Sequence, residues 1–194
     1  MYFLLVVLGS LVAVAGTIPY IVETVKGNTK PRLVSWLTWA VLAGVAAIAS
    51  LADGQIAAGL FAGLSAVVLA TVLVVGWRYG DRSFKALDIT CLAGVGIGLA
   101  LWWLFNDPAI AVWAVIIIDF IGLVPTALHA WKQPHEETPI TFALAAAGGL
   151  LTSIAVAHVQ GISMTSIGYS LYVAISLGVV TAIILARRAG KTAV

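Results

Sequence analysis

Apolar positions along this chain do not alternate with polar ones. They run together, in seven stretches at about 1–25, 33–51, 55–77, 86–105, 109–131, 140–159 and 163–186. Each is close to the ~20 residues a helix needs to cross the hydrocarbon core of a bilayer. The breaks between them are "KGNTKPR", "ADG", "RYGDRSFK", "NDP", "KQPHEETP" and "QGI". These are turns rich in Gly, Pro, Asn and Asp, too short to hold a soluble domain. Pro31 and Pro139 each follow a Thr or a Thr-Lys pair, which suits the cap and first turn of a helix. The pattern predicts an all-α integral membrane protein with seven transmembrane helices.

Composition and charge sharpen this picture. The chain is 62% hydrophobic and 9% charged, against about 25% charged in soluble domains. Lipid must therefore be the solvent for most of its surface, and the bilayer and a small-molecule substrate are the expected partners, not nucleic acid. One cysteine, Cys91, excludes an intramolecular disulfide and reads as a packing residue. "AVAGT" at 13–17 faintly suggests a signal-peptide cleavage site, but no basic residue precedes it, so the first helix is expected to be retained. The basic residues settle orientation. Lys26, Lys30 and Arg32 fall in the first loop, Arg78, Arg82 and Lys85 in the third, Lys132 in the fifth, and Arg187, Arg188 and Lys191 in the tail. All lie on one side. The positive-inside rule then puts the N-terminus outside and the C-terminus in the cytoplasm. The short loops suit a bacterial or archaeal inner membrane.

Two stretches repeat. With Pro19 laid on Pro125, Gly16 falls on Gly122 ("GTIP" and "GLVP") and Lys26 on Lys132. The next helix opens at Pro31 in one copy and Pro139 in the other, a slip of two residues. Helices 1–3 therefore resemble helices 5–7. This predicts a 3+1+3 plan: a first triple-helix bundle at 1–79, a linker helix at 80–107, and a second bundle with a short basic tail at 108–194. An offset of four helices makes the repeat parallel, with its axis along the membrane normal, as in some secondary transporters. Each internal Pro lacks an N–H and strips a partner from the carbonyl four residues earlier, that of Ala15 or Ile121. With Gly16 and Gly122 beside them, Pro19 and Pro125 read as matched hinges. A packing kink is the plainer alternative.

These residues and the helix plan resemble the PQ-loop superfamily, which includes SWEET and SemiSWEET sugar transporters, cystinosin-like transporters and the KDEL receptor. The resemblance covers essentially the whole chain. It implies transport of a small polar solute by alternating access, with a sugar as the leading cargo. Departures are visible. The Gln that usually follows the first Pro is Tyr20 in one half and Thr126 in the other. SWEET pockets pair a Trp from helices 2 and 6 with an Asn from helices 3 and 7. Here helix 2 has Trp36 and Trp39, the matching helix 6 positions are near Leu144 and Ala147, and helices 3 and 7 have no Asn. "WLTW" is also similar to the Trp-x-x-Trp of the PnuC vitamin-precursor transporters. An amino acid or a nucleoside-like precursor is thus the alternative cargo, and a non-transporting receptor the alternative class.

Asp119, in "VIIIDFIGL", is the foremost candidate for chemistry; its repeat counterpart is Ala13. A carboxylate at midplane costs at least ~2.5–3.5 kcal/mol on insertion scales, so it is kept for a reason or kept neutral. It is expected to couple protons or to contact substrate. Trp36 and Trp39 share a helix face at i, i+3 and suit a flat ring, although an interfacial belt position also explains Trp36. Trp113, six residues before Asp119 and near the outer entrance, is a candidate for the pocket as well, with the interfacial belt as the alternative. Trp77, Trp102, Trp103 and Trp131, at helix ends, read as belt. Tyr169, Tyr172 and Ser176 line one face of helix 7, and with Ser65 and Thr71 of helix 3 they offer hydroxyls to a polar substrate or to neighbouring helices. Glu23 and His129, at equivalent cytoplasmic ends, are candidates for an inner gate. His158 and Asp88 lie away from midplane. "GLFAG" and "GVGIG" let helices approach closely. No metal-ligand spacing, cofactor motif or Ser-His-Asp set is present, and no carboxylate or His cluster gathers at one depth, which argues against an enzyme. Two repeats let one chain build a whole pathway, as a monomer or within a homo-oligomer.

Overall fold

The computed structural model describes residues 2–27, 31, 33–80, 82 and 86–191, with only the backbone at a few helical positions. Lys30, Arg32 and Lys85 lie outside the described residues, as do the side chains of Asp88, Cys91, Pro125 and Lys191. All regular elements among the described residues are helical. They are α1 (Tyr2–Val25), α2 (Leu33–Ala52), α3 (Ile56–Tyr79), α4 (Ala86–Phe105), α5 (Pro108–Lys132), α6 (Pro139–Gln160) and α7 (Tyr169–Lys191). These follow the seven apolar runs within a few residues. The physical reason is that a chain in lipid must satisfy its backbone polar groups internally, and a helix does so within one segment. Six helices, α1–α3 and α5–α7, are long and apolar enough to cross a membrane. α4 is the weakest of the seven expected spans, since its apolar stretch among the described residues is the shorter Leu92–Phe105.

Local chemistry sets the helix ends. Pro108 opens α5, where its missing N–H is no loss, and the Asp107 side chain accepts from Ala109 N at 2.9 Å. The last span departs from the expected uninterrupted helix. Met164–Gly168 form a π-helical turn before α7 begins. Ser163 Oγ accepts from Ser166 N at 3.1 Å, and Ser166 Oγ accepts from Ser163 N at 2.8 Å. These side-chain bonds compete with the regular backbone ladder at the first turn.

The helices pack in a reciprocal plan. α3 packs on both α1 and α2, and α7 packs on both α5 and α6. α1 has its most extensive contact with α6, while α5 packs on α2. α1 thus leans on α6 as α5 leans on α2. α4 packs mainly on α5 and touches α2.

Small residues make these contacts close. A Cβ at Gly9 would meet Thr152 Oγ1 at 2.6 Å and the Gly148 carbonyl at 2.8 Å; one at Gly16 would meet Leu144 Cβ at 2.9 Å. Ala43, Ala46 and Ala49 of α2 are fully buried. In "GLFAG", Gly59 abuts Leu51 and Gly63 abuts Ala47; in "GVGIG", Gly94 abuts Ile118, whereas Gly96 meets open space. Large apolar side chains point outward instead, with Leu4, Ile48, Val74 and Ile175 all more than half exposed. An apolar exterior over a small-residue interior is the pattern expected of helices in lipid.

The two ends differ in chemistry. At the end carrying the basic loops, Arg82 lies 4.9 Å from the Trp77 ring centroid and Arg187 lies 4.6 Å from that of Trp131. Arg188 Nη2 donates to the Glu137 carbonyl at 2.7 Å. At the opposite end, uncharged donors join the α2–α3 turn to the α6–α7 turn. The Thr165 hydroxyl donates to the Asp53 carboxylate. Ser50 Oγ donates to the Thr165 carbonyl at 2.8 Å, and Gln160 Oε1 accepts from Ala57 N at 3.1 Å.

The glycine contacts predict a stability difference. Gly9→Ala forces α1 off α6 and should destabilise the protein by about 1–3 kcal/mol, the usual range for overpacking. Gly44→Ala, with nothing within 4 Å of the added Cβ, should be neutral or slightly stabilising. Thermal unfolding of the two variants in detergent checks this.

Candidate functional site

A cavity of about 140 Å³ lies among the helices, lined by α1, α2, α3, α5, α6 and α7. α4 supplies no lining residue among those described. Asp119 enters from α5, near the helix middle. Tyr169, Tyr172 and Ser176 enter from α7, Trp36 and Trp39 from α2, and Ser65 from α3. Seven of the eight side chains expected to meet substrate are therefore brought together. Trp113 is the correction: it does not line the cavity and is 52% exposed. With about 3.6 residues per turn, six residues fall well short of two turns, so Trp113 points away from the side that carries Asp119. Thr71 is likewise outside; it is exposed and its hydroxyl donates to the Val67 carbonyl at 2.9 Å.

The Tyr172 hydroxyl donates to the Asp119 carboxylate. Trp36 and Trp39 stand edge to face, with ring centroids 5.4 Å apart at 80°. Tyr20 covers Trp36 from the basic end, with centroids 4.8 Å apart. Across the cavity Phe61 of α3 faces Tyr169 of α7 at 6.3 Å. The wall is predominantly apolar and aromatic, and Asp119 is its one charged side chain among the described residues.

The lining obeys a spacing. Phe61, Leu64 and Val68 on α3 correspond to Tyr169, Tyr172 and Ser176 on α7 at one constant interval. Ala13 and Thr17 on α1 correspond in the same way to Asp119 and Leu123 on α5, and Trp36 and Trp39 on α2 to Phe142 and Ala145 on α6. The α6 partners sit two residues earlier than an overlay anchored on Pro31 and Pro139 expects, while the α3 and α7 pairs keep that overlay's interval. The positions match but the chemistry does not. Most of the free polar character comes from α5, α6 and α7, and the flat apolar surface from α2 and α3.

Several hydroxyls are already committed. Ser10 Oγ donates to the Val6 carbonyl and Ser65 Oγ to the Phe61 carbonyl, each at 2.9 Å. Ser65 therefore meets the cavity as an acceptor only. Thr141 Oγ1 and Ser176 Oγ, both at the cavity wall, are buried and make no hydrogen bond among the described residues. Ser176 lies near the Tyr172 hydroxyl without reaching hydrogen-bond geometry. An unpaired buried hydroxyl costs about 1–3 kcal/mol, and a bound ligand can satisfy it.

The remaining candidates fall elsewhere. α1 runs unbroken through Gly16 and Pro19, and α5 through Gly122 and residue 125. Gly16 has a second role at the α6 contact. Glu23 pairs with Lys26 at 3.1 Å, and His129 Nε2 lies 3.9 Å from a Glu137 carboxylate oxygen. His158 Nδ1 lies 2.8 Å from the Ile154 carbonyl, far along α6 from the cavity. Sequence reasoning missed Phe61, Thr141 and Phe142; the Pro31–Pro139 overlay carries Tyr169 onto Phe61, but it carries Trp36 onto Leu144 and so passes over Phe142. Among the described residues, no three His, Cys, Asp or Glu side chains gather as a metal set.

No family model matches the chain, and no curated protein or solved structure matches it. The likeness to the PQ-loop superfamily rests on the residues quoted above.

The hydroxyl assignments predict unequal effects. Tyr172→Phe removes a bond to a buried carboxylate and should lower ligand-free stability by about 1.5–3 kcal/mol. Ser65→Ala loses only a bond to its own helix and should change it by less than about 0.5 kcal/mol. Unfolding midpoints of the purified variants decide.

Proposed function

We propose that the chain is a membrane transporter of PQ-loop type that moves a small solute by alternating access. In this reading two triple-helix bundles and a linker helix form a 3+1+3 parallel repeat in an inner membrane, N-terminus outside. One observation carries the reading: α1–α3 and α5–α7 all line the one cavity, with Trp36 and Trp39 spaced along α2 as Phe142 and Ala145 are along α6. A pathway shared by two pseudo-equivalent bundles opens to either side when they rock. The bonds of Asp53, Ser50 and Gln160 then close the outer end and must break for the outward-open state. Pro19 and Pro125 are the bending points. Resemblance favours a sugar as cargo; the size of the cavity favours something smaller.

Asp119 is the coupling site in this scheme. The other titratable groups on the cavity wall are Tyr169 and Tyr172. A carboxylate that binds a proton in one state and releases it in another links solute movement to the proton gradient. Asp119→Asn should abolish the pH dependence of transport; wild-type-like pH dependence in that variant removes Asp119 from coupling. Pro125→Ala should slow turnover more than it weakens binding, and loss of affinity at unchanged turnover defeats the hinge. The experiment that tests the function itself is uptake into proteoliposomes of a labelled panel of sugars, amino acids, nicotinamide riboside and small amines, with and without a proton gradient. Saturable uptake of one class supports transport. Ligand-induced thermal stabilisation without any uptake would replace it with a receptor.

A further inference from the structure

Resting on the reading of this cavity as the solute site, we infer that its occupant is a small organic monocation: a compact ammonium with an apolar body. Charge comes first. Asp119 is the one charged side chain on the wall, and no Lys, Arg or His lines it among the described residues. An anion would lie buried without a counter-charge, and so would the carboxylate of a zwitterionic amino acid. A single positive charge balances Asp119.

Size comes second. A cavity of about 140 Å³ is close to the ~150 Å³ engineered void that takes up benzene. A hexose has roughly twice as many non-hydrogen atoms as benzene and would not fit without expansion. It would also bring five hydroxyls to a wall where Ser10 and Ser65 have donated to their own helices and can only accept.

The wall itself comes third. Trp36, Trp39, Phe61 and Tyr169 present aromatic surface opposite or beside the carboxylate. Aromatic faces attract alkylammonium groups through the negative potential of the ring face. A bare alkali or alkaline-earth ion would leave this aromatic surface without a partner, whereas an alkylammonium group uses both it and the carboxylate. The two halves also divide the work. The carboxylate and the free hydroxyls of Thr141 and Ser176 lie on α5, α6 and α7, and the flat apolar surface is mostly on α2 and α3. A ligand charged at one end and apolar at the other lies across that divide.

The test uses the full chain in detergent, with choline and tetramethylammonium as probes. The controls are 3,3-dimethylbutan-1-ol (the uncharged carbon analogue of choline), glucose and the oversized tetrabutylammonium. Both small cations should raise the unfolding temperature saturably. The uncharged analogue should bind at least about tenfold more weakly, a difference of ~1.4 kcal/mol, and tetrabutylammonium should not bind. This comparison is made on the wild-type chain and needs no variant. Asp119→Asn should then remove the preference for charge. Equal binding of choline and its analogue, or no binding by either small cation, overturns the inference. Labelled choline and glucose uptake into proteoliposomes separates the two readings. Cation binding without uptake keeps the assignment of the ligand and defeats transport. Glucose uptake without cation binding keeps transport and defeats the assignment.

Discussion

The close approach of α1 to α6 is the contact on which the rest of the molecule depends. Lipid tails are as apolar as leucine, so burying a leucine between two helices in a bilayer gains little. Contact area and backbone proximity must supply the attraction. Gly9 and Gly16 give α1 a bare side, and α6 meets it with Gly148, Thr152 and Leu144. On the neighbouring side of the same α1 stretch, Ser10, Ala13 and Thr17 face the cavity. One helix thus packs closely on α6 and forms part of the cavity wall.

Polar groups inside the molecule are used sparingly. Ser10, Thr24, Thr38 and Ser65 return their hydroxyls to carbonyls of their own helices, each at 2.9 Å. Such bonds hold a hydroxyl in lipid without linking helices. Side-chain bonds between helices include the Asp119–Tyr172 pair in the cavity, the buried Ser153–Ser170 bond between α6 and α7, the ties between the α2–α3 and α6–α7 turns, and Arg187 Nε on the Trp131 carbonyl at the basic end. The basic end is finished by arginines lying over tryptophans, a surface suited to lipid headgroups.

Much of this was legible in the sequence because the bilayer imposes a length and a composition on every span. Pro, Gly and Asp mark the ends of α2, α5 and α6 almost to the residue. Asp119 stood out because a carboxylate among isoleucines has no place in lipid without a partner, and Tyr172 is that partner. Phe61 and Phe142 were hidden for the opposite reason: an apolar side chain in an apolar run carries no signal. The Asp53–Thr165 tie was hidden because polar residues at a turn read as solvated. The π turn at Met164–Gly168 depends on where four serine and threonine side chains find acceptors, which periodicity does not encode. Trp113 was misplaced by judging depth without rotation.

The inequality of the two halves reaches into how such a chain can be built. On the cavity wall α5 has Asp119 where α1 has Ala13, and α7 has Tyr172 where α3 has Leu64. Two copies of α1–α3, paired about a two-fold axis, would enclose a space with no charge. Two copies of α5–α7 would set a pair of carboxylates across the axis, each repelling the other. A pocket with a single acid and one aromatic wall needs two unlike sets of helices, and one chain that carries both supplies them in a fixed ratio.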